Sequence, residues 1–186
     1  MLIVTASSAK AEDTDSLYTP SMLSIGTMVP DIVIDSIHNI SLRSLRGRYV
    51  VLQFWASWCP ACRKDMPAMN ELSYVYSSDS VVFIHISYDT DKAVWQKYIE
   101  DNKMLGLQVS ELKKMRETQT YSLFGIKWIP AMYLVSPEGR VMLRTVKVEK
   151  LAERLKYLNY AKLSIPKNKR SRNPRFQGGE RNLRYY

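Results

Sequence analysis

Eight consecutive residues, Tyr49-Val50-Val51-Leu52-Gln53-Phe54-Trp55-Ala56, make a nearly unbroken β-branched and aromatic run, the feature that most constrains how this chain folds. Such a run suits a strand buried on both faces, in a sheet covered by helices. Cys59-Pro60-Ala61-Cys62 follows almost at once. Met66, Met69, Leu72 and Tyr76 then recur at helical spacing as far as the loop Ser77-Ser78-Asp79-Ser80. The cysteine pair therefore lies where a buried strand gives way to a helix.

The remaining elements follow from the same patterns. Val81 to Ser87 reads as a second buried strand, and Asp91 to about Asn102 as a helix with Val94, Trp95, Tyr98 and Ile99 on one side. Residues 111–123 suggest a further, more polar helix. Ala131-Met132-Tyr133-Leu134-Val135 and Arg140 to Val146 flank Ser136-Pro137-Glu138-Gly139, which predicts a β-hairpin. Glu149 to about Lys162 closes the pattern as an amphipathic helix. Ahead of these, Ile32 to Ile34 and Ile37 to Ile40 suggest two short strands around a turn, and residues 41–47 a single helical turn ended by Gly47. The order is βαβα(α)ββα behind a small N-terminal hairpin. This is an α/β fold with a mixed central sheet and helices on both faces.

A length of 186 residues fits one domain with extensions. The expected division is 1–24, 25–163 and 164–186. The first segment shows no periodicity and is either a disordered lead-in or the remnant of a signal peptide, with Ala9-Lys10-Ala11 as the cleavage site. The last is basic, rich in Arg, Asn, Gly and Pro, and expected to be disordered. The formal charge is +9, but residues 162–186 carry +7 of it and residues 1–161 only +2. The folded part is nearly neutral, so no specific nucleic-acid binding is expected; the tail alone could contact an anionic surface. No run of 18 apolar residues occurs.

Two cysteines cannot make a disulfide-stapled scaffold. A zinc ribbon needs a second pair, and only His38 and His85 are available, the latter in mid-strand between Ile84 and Ile86. A redox role has a physical basis. At a helix N-terminus, unpaired backbone N–H groups and the helix dipole favour an anion, which is the condition that activates a thiol. Pro60 suits the first helical position, whose N–H is not needed. The N–H groups of Ala61 and Cys62 are left to face the Cys59 sulfur, and Cys62, one turn in, faces inward.

Phe54-Trp55-Ala56-Ser57-Trp58-Cys59-Pro60-Ala61-Cys62-Arg63 resembles the active-site stretch of the thioredoxin superfamily, and more narrowly that of TlpA/ResA-type thiol–disulfide oxidoreductases. Pro30-Asp31, residues 41–48, Met66-Pro67, Trp95, Phe124 to Ala131 and Pro137 to Arg140 match in order and spacing, across roughly residues 25–160. The resemblance implies a thioredoxin-like three-layer fold. It implies that Cys59 attacks, that Cys62 resolves, and that Ile129-Pro130 is a cis bond at which a substrate chain pairs beside Cys59. Trp58, adjacent to Cys59, would shield the site rim and contact partners, with Pro60 and Ala61 beside it; Trp55, Met66, Met69 and Met132 would be core.

Two departures matter. Thioredoxins keep a buried Asp six residues before the first cysteine, where this chain has Gln53, an amide that cannot take a proton. ResA-type members instead resemble it in having an acid three residues after the second cysteine. Here that is Asp65, either a proton acceptor for Cys62 or a complement to the helix dipole. Ala61 stands where relatives often carry Pro, which leaves the redox poise open.

The function implied is dithiol–disulfide exchange on protein substrates, as a reductant, by a monomer without organic cofactor or metal. A thiol electron donor, in this family usually a membrane protein, would regenerate it in the periplasm or cell envelope. The alternative is a redox-sensing or non-catalytic thioredoxin-like binding module. A peroxiredoxin is less in keeping, because the Thr or Ser that precedes its cysteine by three residues is here Ala56.

Overall fold

In the computed structural model of the chain the described residues are 13–35 and 40–163, with side chains as far as 158. The cleavage-site reading at 9–11, His38 and the basic tail lie outside them.

The central sheet has five strands in the order β5-β4-β3-β6-β7: β3 Tyr49–Trp55, β4 Val81–Ser87, β5 Leu107–Ser110, β6 Ala131–Val135 and β7 Val141–Thr145. The first three run parallel, β6 is antiparallel to β3, and β7 to β6. β3 is central, and every residue from Val50 to Trp55 is buried, as its unbroken apolar run requires. β1 Val33–Asp35 and β2 Ile40–Ser41 form the separate antiparallel pair expected before it.

α2 (Pro60–Tyr76) joins β3 to β4, and α3 (Lys92–Asp101) follows β4. Successive right-handed crossovers in one direction place both helices on one face. Asn70 Nδ2 donates to the Asn102 carbonyl at 2.8 Å, tying α2 to the end of α3, and Trp55 packs on Tyr98 with ring centroids 5.3 Å apart. α5 (Val148–Leu163) packs against α2. On the opposite face Phe54, Phe124 and Tyr133 form an aromatic cluster, with Phe124 at the C-cap of α4 (Gln119–Leu123). Trp55, Met66, Met69 and Met132 are all core.

Two expectations need correction. The single polar helix expected over 111–123 is instead a loop after β5, a 3-10 turn at Met115–Glu117, and the short α4. Leu107 to Ser110 finds hydrogen-bond partners along the free edge of β4, and the Glu111 carboxylate accepts from the Gln119 and Thr120 N–H groups at the start of α4. The described part of the lead-in is also ordered. α1 spans Thr14–Tyr18 behind an Asp13 N-cap, and residues 26–29 run beside β7 through Gly26 N–H to the Val141 carbonyl, Val141 N–H to the Thr27 carbonyl and Val29 N–H to the Gly139 carbonyl. This strap covers a sheet edge that would otherwise present unpaired backbone groups. The sequence of 13–29 lacks periodicity because its contacts are made one residue at a time with distant elements.

Candidate active site

The end of β3 and the start of α2 place the two cysteines. Cys59 is the N-cap of α2, in extended conformation, and Pro60 occupies the first helical turn. Cys62 N–H donates to the Cys59 sulfur at 3.3 Å, and the Cys59 thiol donates to the Ile129 carbonyl at 3.7 Å. The sulfur thus accepts from the first turn of α2 on one side and donates to the loop before β6 on the other. Cys59 is 6 % exposed and Cys62 is sealed. Burial, then the neighbouring Cys59 sulfur, pushes the Cys62 thiol well above its ordinary range.

The Ile129-Pro130 bond is cis. It brings the loop before β6 to within reach of Cys59, with Ile129 and Pro130 buried. Trp58, next to Cys59 in the chain, is 58 % exposed, and Trp128, the residue before Ile129, is 52 % exposed. Pro60 and Ala61 are exposed on the first turn of α2, and an open cleft of about 590 Å³ beyond them is lined by Pro60, Arg63, Lys64, Tyr98, Asp101 and Asn102. Asp65 is half-buried, and its carboxyl is held above the usual carboxylate range by burial first and by Glu149 of α5 second, despite Lys64. Its charge also disfavours the Cys62 thiolate, more weakly than burial and the Cys59 sulfur do, and no hydrogen bond joins the two side chains among those described.

Gln53 lies on the same face as His85 and Met132, its register partners. Its Oε1 meets His85 Nδ1 at 2.5 Å, and its Nε2 has no hydrogen-bond partner among the described residues. The position therefore holds a neutral, buried amide–imidazole pair. Among the described residues no group of three or more His, Cys, Asp or Glu side chains is arranged to hold a metal ion.

Three residues at the site go beyond those singled out from sequence. Ser57 and Asp89 are hydrogen-bonded behind the cysteine turn, and Trp128 is the exposed residue next to Ile129 in the chain. Asp89 carried a weak signal, being a carboxylate two residues past a buried strand. Ser57 and Trp128 were visible only as members of longer matching stretches.

Residues 25–144 match the AhpC/TSA family model. The chain belongs to that family. Among curated relatives, it is 33 % identical to the thiol–disulfide oxidoreductase ResA of Bacillus anthracis, over 64 % of this chain and 68 % of that protein. It is 26 % identical to ResA of Geobacillus kaustophilus, over 76 % and 80 %. Among solved structures, the thioredoxin domain of a Bacteroides vulgatus thiol–disulfide oxidoreductase superposes with TM-score 0.64 at 28 % identity, covering 73 % of this chain and 98 % of that one. A Chlorobium tepidum protein described as a putative thiol:disulfide interchange protein DsbE gives 0.63 at 26 %, covering 74 % and 97 %. With a five-stranded mixed sheet and helices on both faces, the chain is a thioredoxin-like member of this group and a thiol–disulfide oxidoreductase.

Proposed function

We propose that the chain reduces disulfides in protein substrates through Cys59 and Cys62. The observation that carries this reading is the Cys59 sulfur at the N-terminus of α2, facing Cys62 N–H on one side and the Ile129 carbonyl on the other. The Cys59 thiolate attacks a substrate disulfide, forming a mixed disulfide and releasing one substrate thiolate. Cys62 loses its proton and attacks the Cys59 sulfur, closing the Cys59–Cys62 disulfide and releasing the second. The substrate gains two electrons and the dithiol loses them. A thiol donor of another protein must return them.

Asp65 is the proton acceptor for Cys62 in this scheme. A carboxyl held above its usual range is better matched to a thiol than an ordinary exposed one. Ile129 offers backbone beside Cys59 to an extended substrate segment, and Trp58, Pro60 and Ala61 form the rim it crosses. We place the reaction at the cell envelope, with a membrane protein as electron donor, on the resemblance of the active-site stretch to that of TlpA/ResA-type oxidoreductases. No helix among the described residues is long and apolar enough to cross a membrane.

The deciding experiment is insulin-disulfide reduction by the full chain with dithiothreitol as electron source. Wild type should turn over, Cys59→Ser should fall to background, and Cys62→Ser should accumulate a mixed disulfide through Cys59. Absence of wild-type turnover, with binding to the partner retained, would favour a binding module instead.

A further inference from the structure

Behind the cysteine turn, the Asp89 carboxylate lies just past the end of β4 and is 2 % exposed. Ser57 N–H donates to its Oδ2 at 2.9 Å, and Ser57 Oγ donates to its Oδ1 at 2.6 Å. Ser87 Oγ donates to Oδ2 at 2.6 Å, while Asp89 N–H returns a bond to Ser87 Oγ at 2.9 Å. Ser110 Oγ, from the end of β5, donates to the carbonyls of Ser87 and Asp89. The carboxylate is thus held from the ends of β3 and β4, with Ser110 of β5 bracing the backbone on either side of it, and both its oxygens accept from Ser57, which stands two residues before Cys59.

Burying a carboxylate is costly unless its oxygens are met by donors. A loop that only needed closing could be closed by a neutral side chain. What this one grips is the turn in which Cys59 N–H donates to the Ala56 carbonyl, and that turn sets the entry of α2. The Cys62 N–H to Cys59 sulfur distance depends on that entry. We propose that Asp89 is a positioning residue for the oxidoreductase reaction: through the N–H and hydroxyl of Ser57 it fixes the turn that holds the Cys59 sulfur over the first N–H groups of α2. This assignment rests on Cys59 being the attacking thiol.

The test uses the full chain, reduced, and follows alkylation of Cys59 by iodoacetamide as a function of pH, with the modified residue located by mass spectrometry. Asp89→Ala frees the turn, so the midpoint of the pH–rate profile should rise by about one unit, roughly tenfold less reaction at neutral pH. Ser57→Ala removes the hydroxyl arm alone and should move the profile the same way, by about threefold, as expected for one hydrogen bond. Asp89→Asn can still accept from Ser57 N–H and Ser87 Oγ and can donate to Ser57 Oγ, so its profile should stay at or below that of wild type. A purely structural Asp89 would lower the denaturation midpoint and leave the profile in place. A wild-type profile in Asp89→Ala or in Ser57→Ala, or an equal rise in Asp89→Asn and Asp89→Ala, would overturn the proposal. If Asp89→Ala does not fold, Ser57→Ala and Asp89→Asn decide it. Insulin reduction by wild type is measured in parallel: its failure would sink the proposed function while the alkylation profiles still judge Asp89.

Discussion

At the residue scale, burial pushes Cys62, Asp65 and His85 toward their neutral forms. His85 is the most deeply buried of them. Burial brings its pKa down from the usual 6.5 to about 4, with Gln53 Oε1 at its Nδ1. The Leu105 carbonyl opposes the shift without reaching full hydrogen-bond geometry at Nε2. The folded ring stays neutral while the unfolded chain takes up a proton below pH 6.5. Stability is therefore complete above that value and is lost as pH falls toward 4, below which both states are protonated. From pH 7 to pH 5 the loss from this group should be about 2 kcal/mol, read from urea midpoints, and His85→Gln should flatten that slope. A second residue-scale expectation concerns Asp65. Asp65→Asn should slow release of the mixed disulfide, about tenfold or more if it accepts the Cys62 proton, while alkylation of Cys59 stays near wild type. Stopped-flow reduction of a peptide disulfide separates the two steps.

At the scale of elements, the N-terminal strap is built into the domain. Asp15 of α1 is buried and accepts from Thr145 Oγ1 and Val146 N–H at the end of β7, and its Oδ2 lies 2.7 Å from Lys150 Nζ. Removing one member of such a cluster leaves Thr145 and Val146 without their acceptor. Asp15→Ala should cost about 2 kcal/mol, measured by denaturant unfolding. Further along, Gly125 adopts φ +64°, and a Cβ there would stand 1.8 Å from the Ser21 carbonyl oxygen; only glycine lets the strap pass that close. The strap also reaches the site. Tyr18 stacks on Trp128 with centroids 4.7 Å apart, bracing the exposed indole beside Ile129. Trp128→Ala should raise KM for a protein disulfide several-fold while leaving reduction of a small disulfide reagent nearly unchanged, because only the larger substrate crosses that rim.

At the scale of the whole molecule, charge and chemistry are segregated. The nearly neutral part holds the sheet and the cysteines, and residues 162–186 hold most of the excess positive charge. A chain shortened after residue 163 should keep its turnover and its denaturation midpoint. If the tail meets anionic surfaces, the shortened chain should also lose any salt-sensitive cosedimentation with phosphatidylglycerol vesicles. Equal binding by both forms would assign the contact to the folded part.

Much of this is legible in the sequence, because it depends on neighbours in the chain. The strand Tyr49–Trp55, the N-cap position of Cys59 and the helix after it follow from apolar periodicity and from Pro60, which suits only a helix start. The hairpin of β6 and β7 follows from its turn residues. Other features depend on residues far apart and left no periodic trace. The strap over β7, the replacement of a polar helix by β5 and α4, and the Gln53–His85 pair each depend on which edges and faces the sheet leaves open. The hold of Asp89 on Ser57, 32 positions away, is of the same kind. Local sequence determined that a dithiol stands at a helix N-terminus; only the packing of three strand ends decided what holds it there.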